Sequence, residues 1–239
     1  MIVFLQLKKI RHNLLSDGKI GKYIFYAIGE IFLVVVGILI ALQVNNKNIQ
    51  KNANLVEFQY YQTMQGQLIE DKELLNHEIY VIKERIADYE VGLKMIVDDD
   101  RDHSSELAGK VYRLLEYGDF RRKSSVYQTL IYSGEIKHIK NKGIVKYLQE
   151  LERTYQIVER LESTQASLVM IHTAPVINEL LDFKSGELVF PDLVFTLSFK
   201  NRFSLAIRLA SEKMQDLEHA LSVIDHTLKA IDAELSVTL

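Results

Sequence analysis

The stretch "YIFYAIGEIFLVVVGILIALQV", Tyr23–Val44, decides how this 239-residue chain is read. About 20 apolar residues cross the hydrocarbon core of a bilayer as a helix, and this run supplies that length with a single charge, Glu30. A cleaved leader would have a shorter apolar region followed by a small-x-small site. Here "ALQVNNKN" follows, so an uncleaved signal anchor is expected. The run is apolar all round over Ile31–Leu42 and would also suit a buried core helix, but its length and flanks favour a span.

Those flanks orient it. Residues 1–22 carry Lys8, Lys9, Arg11, Lys19 and Lys22 against Asp17. By the positive-inside rule this short basic segment stays in the cytoplasm. The remainder then lies outside the inner membrane, in the periplasm. Lys22 is placed to snorkel to the headgroups, with Tyr23 and Tyr26 as aromatic anchors at the same interface. Gln43, Asn45 and Asn46 mark the exit. No second apolar run is long enough to cross. The organisation expected is therefore 1–22 cytoplasmic, 23–44 transmembrane and 45–239 a periplasmic domain.

Placed on a helix, Ala27, Glu30, Val34, Gly37, Ala41 and Val44 share one stripe at steps of three and four. It holds the charge and most of the small residues, including the small-xxx-small pair Gly37 and Ala41 that lets helix backbones approach. The other faces, with Ile24, Phe25, Ile31, Phe32, Leu33, Val35, Ile38, Leu39 and Ile40, suit lipid. A lone carboxylate in lipid costs about 2.5–3.5 kcal/mol on insertion scales, so such acids usually face protein. The stripe is accordingly a candidate contact face toward a second copy or another membrane protein.

The rest of the chain reads as long helices. Only Pro175 and Pro191 interrupt it, and cysteine and tryptophan are absent. No disulfide framework, thiolate metal site or cysteine nucleophile is available. Beyond Val44 there are 24 basic and 30 acidic residues, which argues against a nucleic-acid partner. Tyr61, Met64, Leu68, Leu75, Ile79, Ile82, Ile86, Tyr89, Leu93 and Ile96 form a heptad seam with Lys72 at its one missed step, and with no proline after the span the transmembrane helix is expected to run into this one with only a break near Asn45–Asn54. "DDDRDHSSE", Asp98–Glu106, ends it. A helix over about Leu107–Tyr117 and a short one closing at Gly134 follow. Ile144, Leu148, Leu151, Tyr155 and Val158 open another long helix, expected to reach His172 before Pro175 breaks it. Phe203, Ile207, Ala210, Met214, Leu217, Leu221, Ile224, Leu228, Ile231 and Leu235 make the last seam. Each helix needs partners to bury its stripe, so the fold class expected is all-α: one transmembrane helix, then an extramembrane antiparallel bundle. Its core is expected around Leu75, Ile79, Ile82, Ile86, Leu217, Leu221, Ile224 and Leu228. "LVFPDLVFTLSF", Leu188–Phe199, fits a hairpin, a short helix or a surface patch, and folding over the bundle end is preferred to a docking site.

Two stretches carry a resemblance. "LLSDGKIGKYIFYAIGEIFLVVVGILIALQVNNKN", Leu14–Asn48, and more loosely "SSVYQTLIYSGEIKHIKNKGIVKYLQELERTY", Ser124–Tyr155, resemble the DUF6090 family of uncharacterised membrane proteins of Bacteroidota. Lys47 stands where that family's "NNWN" motif has tryptophan. The resemblance implies an inner-membrane protein of a Gram-negative envelope, and it supplies no activity.

The chemistry-bearing patterns are thin. No P-loop, GxSxG, HExxH or CxxC pattern occurs. Asp98, Asp100 and Asp102 have the spacing of an EF-hand's first ligands, but His103 and Gly109 replace its required glycine and glutamate. His219 and His226 lie seven apart, outside the three or four of a helical ligand pair. His172 reads as a helix-end residue. No catalytic, cofactor or metal site is expected. The leading expectation is a non-enzymatic scaffold or accessory subunit, anchored in the bilayer and either oligomeric or docked on other envelope membrane proteins. The alternatives are a proton-coupled motor or channel subunit using Glu30, by positional analogy with single-span stator proteins, and a periplasmic ligand sensor.

Overall fold

A computed structural model describes residues 19–118, 120, 122 and 126–237, with only the backbone of 19–23, 25, 26 and 237. The chain divides into two compact units after Val56. The side chains of Lys22, Tyr23 and Tyr26, and residues 1–18 of the basic segment, lie outside the described residues.

The fold is all-α. Helix α1 spans Lys19–Val97. No break occurs at Asn45–Asn54, contrary to expectation; these residues are poor helix formers but carry no proline, and their backbone bonds continue. The helix closes where Asp99 adopts a left-handed φ of 52° and the Asp100 N–H donates to the Met95 carbonyl at 2.9 Å, a Schellman-type end. Helix α2 (Ser104–Arg113) is shorter than the reading to Tyr117. Helix α3 (Val126–Tyr132) ends at Gly134, whose φ of 70° suits glycine, and a 3-10 turn (Glu135–His138) follows.

Helix α4 (Lys142–Leu168) is capped by Asn141, whose side chain accepts from the Gly143 and Ile144 N–H groups at 2.9 and 3.2 Å. Pro175 does not break the chain as expected. A π-turn (Val169–Thr173) widens the helix, the Ala174 N–H reaches five residues back to the Val169 carbonyl, and Pro175 sits in the first turn of α5 (Ala174–Leu180). The wider turn avoids the clash of a proline ring with the preceding turn. Strands β1 (Leu181–Asp182) and β2 (Glu187–Leu188) form a two-residue antiparallel pair, and a 3-10 turn (Pro191–Leu193) leads to α6 (Leu197–Val237).

Within the unit that starts at Glu57, the pairings set the helix directions. Gln65 bonds Asp232, Lys72 bonds Asp225, and Tyr89 packs edge-on against Phe203, so α6 runs antiparallel to α1. His219 meets Glu150 and His226 stacks on Tyr147, so α6 is also antiparallel to α4. Asp71 meets Tyr155 and Glu57 meets Lys140, so α1 and α4 run parallel. The seams face inward as read: Leu75, Ile79, Ile82, Leu217 and Ile224 are buried, and Ile86, Leu221 and Leu228 are half-buried against them. Of the Leu188–Phe199 segment, Val194 and Phe199 are buried, whereas Val189, Phe190, Leu193 and Leu197 are exposed.

Candidate functional site

In the unit before Glu57, the apolar part of α1 is long and apolar enough to cross a membrane, and none of that stretch is buried. Apart from the half-exposed Val36, its large described side chains are exposed, from 46% at Val35 to 70% at Leu33. Burying one such side chain is worth about 1.5–3 kcal/mol, so leaving this set in water forgoes tens of kcal/mol. Ala27, Glu30, Val34, Gly37, Ala41 and Val44 are all exposed, and a Cβ added at Gly37 would meet nothing within 4 Å.

The bundle holds a second set of groups that the apolar seams did not reveal. Asp71, not Lys72, occupies the missed step of the α1 seam; it is fully buried, while Lys72 turns outward to Asp225 at 2.5 Å. Glu57, Asp71, Glu78 and Arg85 recur at multiples of seven along one edge of α1. Each meets a different partner.

At Glu57, burial pushes the carboxyl up. Hydrogen bonds from the Lys140 side chain and backbone, with one from Tyr61, outweigh that and leave it below the ordinary range. Asp71 accepts from the Tyr155 hydroxyl at 3.3 Å, and burial with that charge nearby pushes the phenol well up. Tyr155 also stacks under Arg122, whose guanidinium lies 5.3 Å above the ring. Arg122 makes a two-pronged pair with Glu152, which further accepts from Gln128 at 2.7 Å and Gln156 at 3.0 Å. Burial raises the Glu152 carboxyl, but these donors, Arg122 foremost, bring it below its usual range. Arg85 is 9% exposed, 3.7 Å from Glu116, and its Nε has no hydrogen-bond partner among the described residues.

The tightest cluster surrounds Lys213, which is 2% exposed. Its ammonium donates to Glu78 Oε1 at 2.7 Å and to Glu162 Oε1 at 2.5 Å. Glu162 also accepts from the Phe120 N–H at 2.9 and 3.1 Å. Gly118 closes over the cluster: a Cβ there would lie 2.2 Å from the ammonium nitrogen. Nearby, burial pushes the Tyr89 phenol up to about 12, and its hydroxyl donates to the Arg113 carbonyl at 3.1 Å.

Chemically, these carboxylates are engaged by donors within the fold. The surface candidates are dispersed. Asp100 pairs with His103 at 2.8 Å and Asp99 with Arg101 at 2.9 Å, and no metal-binding group of three occurs among the described residues. His219 and His226 sit on the bundle flank, and the His172 carbonyl accepts from Arg202 at 2.7 Å. The seven-residue recurrence of Glu57, Asp71, Glu78 and Arg85 was readable in the sequence, whereas Lys213, Glu162 and Gly118 carried no such signal. Comparison with protein-family models, with curated proteins and with solved structures gives no match in any of the three.

Proposed function

We propose that the chain is a single-pass inner-membrane anchor protein with a helical periplasmic domain, working as a non-enzymatic scaffold or accessory subunit. In this reading the N-terminus lies in the cytoplasm and the face of Ala27, Glu30, Val34, Gly37 and Ala41 docks on a second copy. One observation carries it: the apolar part of α1 is bare on every side, while the residues from Glu57 onward bury a core of their own. A helix exposed all round finds its solvent in lipid. Within lipid, the small-residue stripe and the carboxylate favour protein contact. The resemblance of Leu14–Asn48 to envelope membrane proteins agrees with this placement.

The absence of cysteine makes the test direct. Single cysteines placed at Lys8 and Asn52 report topology through a membrane-impermeant maleimide on spheroplasts. Only Asn52→Cys is expected to label, and the protein is expected to resist carbonate extraction. Oxidative crosslinking of Ala27→Cys or Gly37→Cys is expected to trap a dimer, while Leu33→Cys and Leu39→Cys on the other faces do not. Release by carbonate, or equal crosslinking from all four positions, refutes the reading. Glu30→Gln separates a contact role from proton coupling: the scaffold reading expects assembly and cell phenotype to survive it.

A further inference from the structure

Where the π-turn meets α6, a small cleft of about 90 Å³ opens between Tyr89, Leu114, α4 and α6. Leu168, Val169, Leu205 and Leu209 make its walls apolar. Two polar side chains line it with hydrogen-bonding capacity that the fold does not use. Gln165 is 7% exposed, yet its amide makes no hydrogen bond with any described residue.

Arg202 also lines the cleft. Its Nη1 donates to the His172 carbonyl at 2.7 Å and to Thr173 Oγ1 at 3.4 Å, its Nε is buried with no acceptor, and no described carboxylate pairs with it. Arg202 is half-buried, and the Phe199 ring lies 5.9 Å from its guanidinium. A guanidinium without a counter-ion calls for an anion of planar, two-oxygen geometry, and an adjacent amide can donate to the same group. Apolar walls with a few convergent polar groups are the ordinary composition of a small-molecule site. The volume is that of about three waters, which limits the occupant to a handful of heavy atoms.

We infer that this cleft binds a small carboxylate with a short apolar tail, its carboxylate held by Arg202 and Gln165 and its tail against Leu168, Leu205 and Leu209. The inference goes beyond the anchoring role and is independent of it.

The test uses the full-length protein in detergent micelles, titrated with 3-fluoropropionate, which has six heavy atoms as butyrate does, and followed by fluorine NMR against empty micelles. Saturable binding that butyrate displaces, and that butylamine and chloride do not, is the expected result. Gln165→Leu and Arg202→Met are each expected to weaken it about tenfold or more. Leu209→Phe, which narrows the cleft without touching either polar group, is expected to abolish it. Tyrosine near-ultraviolet dichroism identifies which variants retain the fold, and any one folded variant suffices for the comparison. Absence of saturable binding to the wild-type protein, equal displacement by butylamine, or folded variants that bind as the wild type does overturns the inference. A cleft occupied by water alone gives the first of these outcomes.

Discussion

Replacing Lys213 with methionine keeps the stem that fills the bundle and removes the ammonium that Glu78 and Glu162 share. Removing one partner of a buried ion pair costs about 3–5 kcal/mol, because the charge left behind has lost both water and its counter-ion. Two features place this case at the lower end. The Glu78 side chain is 19% exposed and can turn to water, and Glu162 keeps the Phe120 N–H. A loss of about 3 kcal/mol corresponds to a fall of roughly 6–12 °C in melting temperature for a domain of this size. Melting in a fixed detergent near neutral pH, followed by tyrosine near-ultraviolet dichroism, measures it without the far-ultraviolet signal of the span. The triple variant Lys213→Met, Glu78→Gln, Glu162→Gln removes the stranded charges and is expected to regain most of the loss. A single variant melting within about 2 °C of the wild type refutes the reasoning, as does a triple variant no more stable than the single one.

Three further outcomes follow from the same geometry. Gly118→Ala pushes a methyl to 2.2 Å from the Lys213 ammonium; it is expected to cost about 1–3 kcal/mol, and the cost is expected to shrink sharply in the Lys213→Met background, a double-mutant coupling read by the same melts. The carboxyls of Glu57 and Glu152 are held below the ordinary glutamate value of 4.5, so their stabilisation is complete above that value and is lost as pH falls through their folded values. Acid melts are therefore expected to show a loss that Glu152→Gln flattens, and a wild-type melting temperature constant down to strong acid contradicts it. Asp99→Gly relieves the left-handed φ of 52° and is expected to stabilise the end of α1 by about 0.5–1 kcal/mol, read as slower exchange of the Asp98 and Asp100 amides.

The parts of the fold that were legible in the sequence are those that apolar periodicity encodes. Leu217, Ile224 and Ile231 had to face inward because their spacing leaves no other common face, and the same holds for Leu75, Ile79 and Ile82. Gly134 and the Asp98–Asp102 run marked helix ends through turn chemistry. Polar burial was far less legible. Asp71 and Lys72 are adjacent and both charged, and only the partner across the bundle, Tyr155 or Asp225, decides which goes inside. Lys213 sits between apolar seam positions of α6 and reads as a solvated flank residue, because nothing local announces two carboxylates from distant helices. Pro175 reads as a break in the sequence because a proline's effect depends on the turn before it, and the compensating π-turn has no compositional mark.

The parallel course of α1 and α4 has a consequence for biosynthesis. Gln65 finds its partner Asp232 across 167 positions of chain, and Tyr89 of α1 packs against Phe203 of α6. A ribosome that has produced α1 through α4 has made two helices with greasy stripes and no third wall to close them. Contacts so far apart in the chain form late and slowly, and the waiting intermediate exposes its apolar surface. The nascent chain is therefore expected to need shielding until α6 emerges, because closure of the bundle waits on that helix rather than proceeding helix by helix.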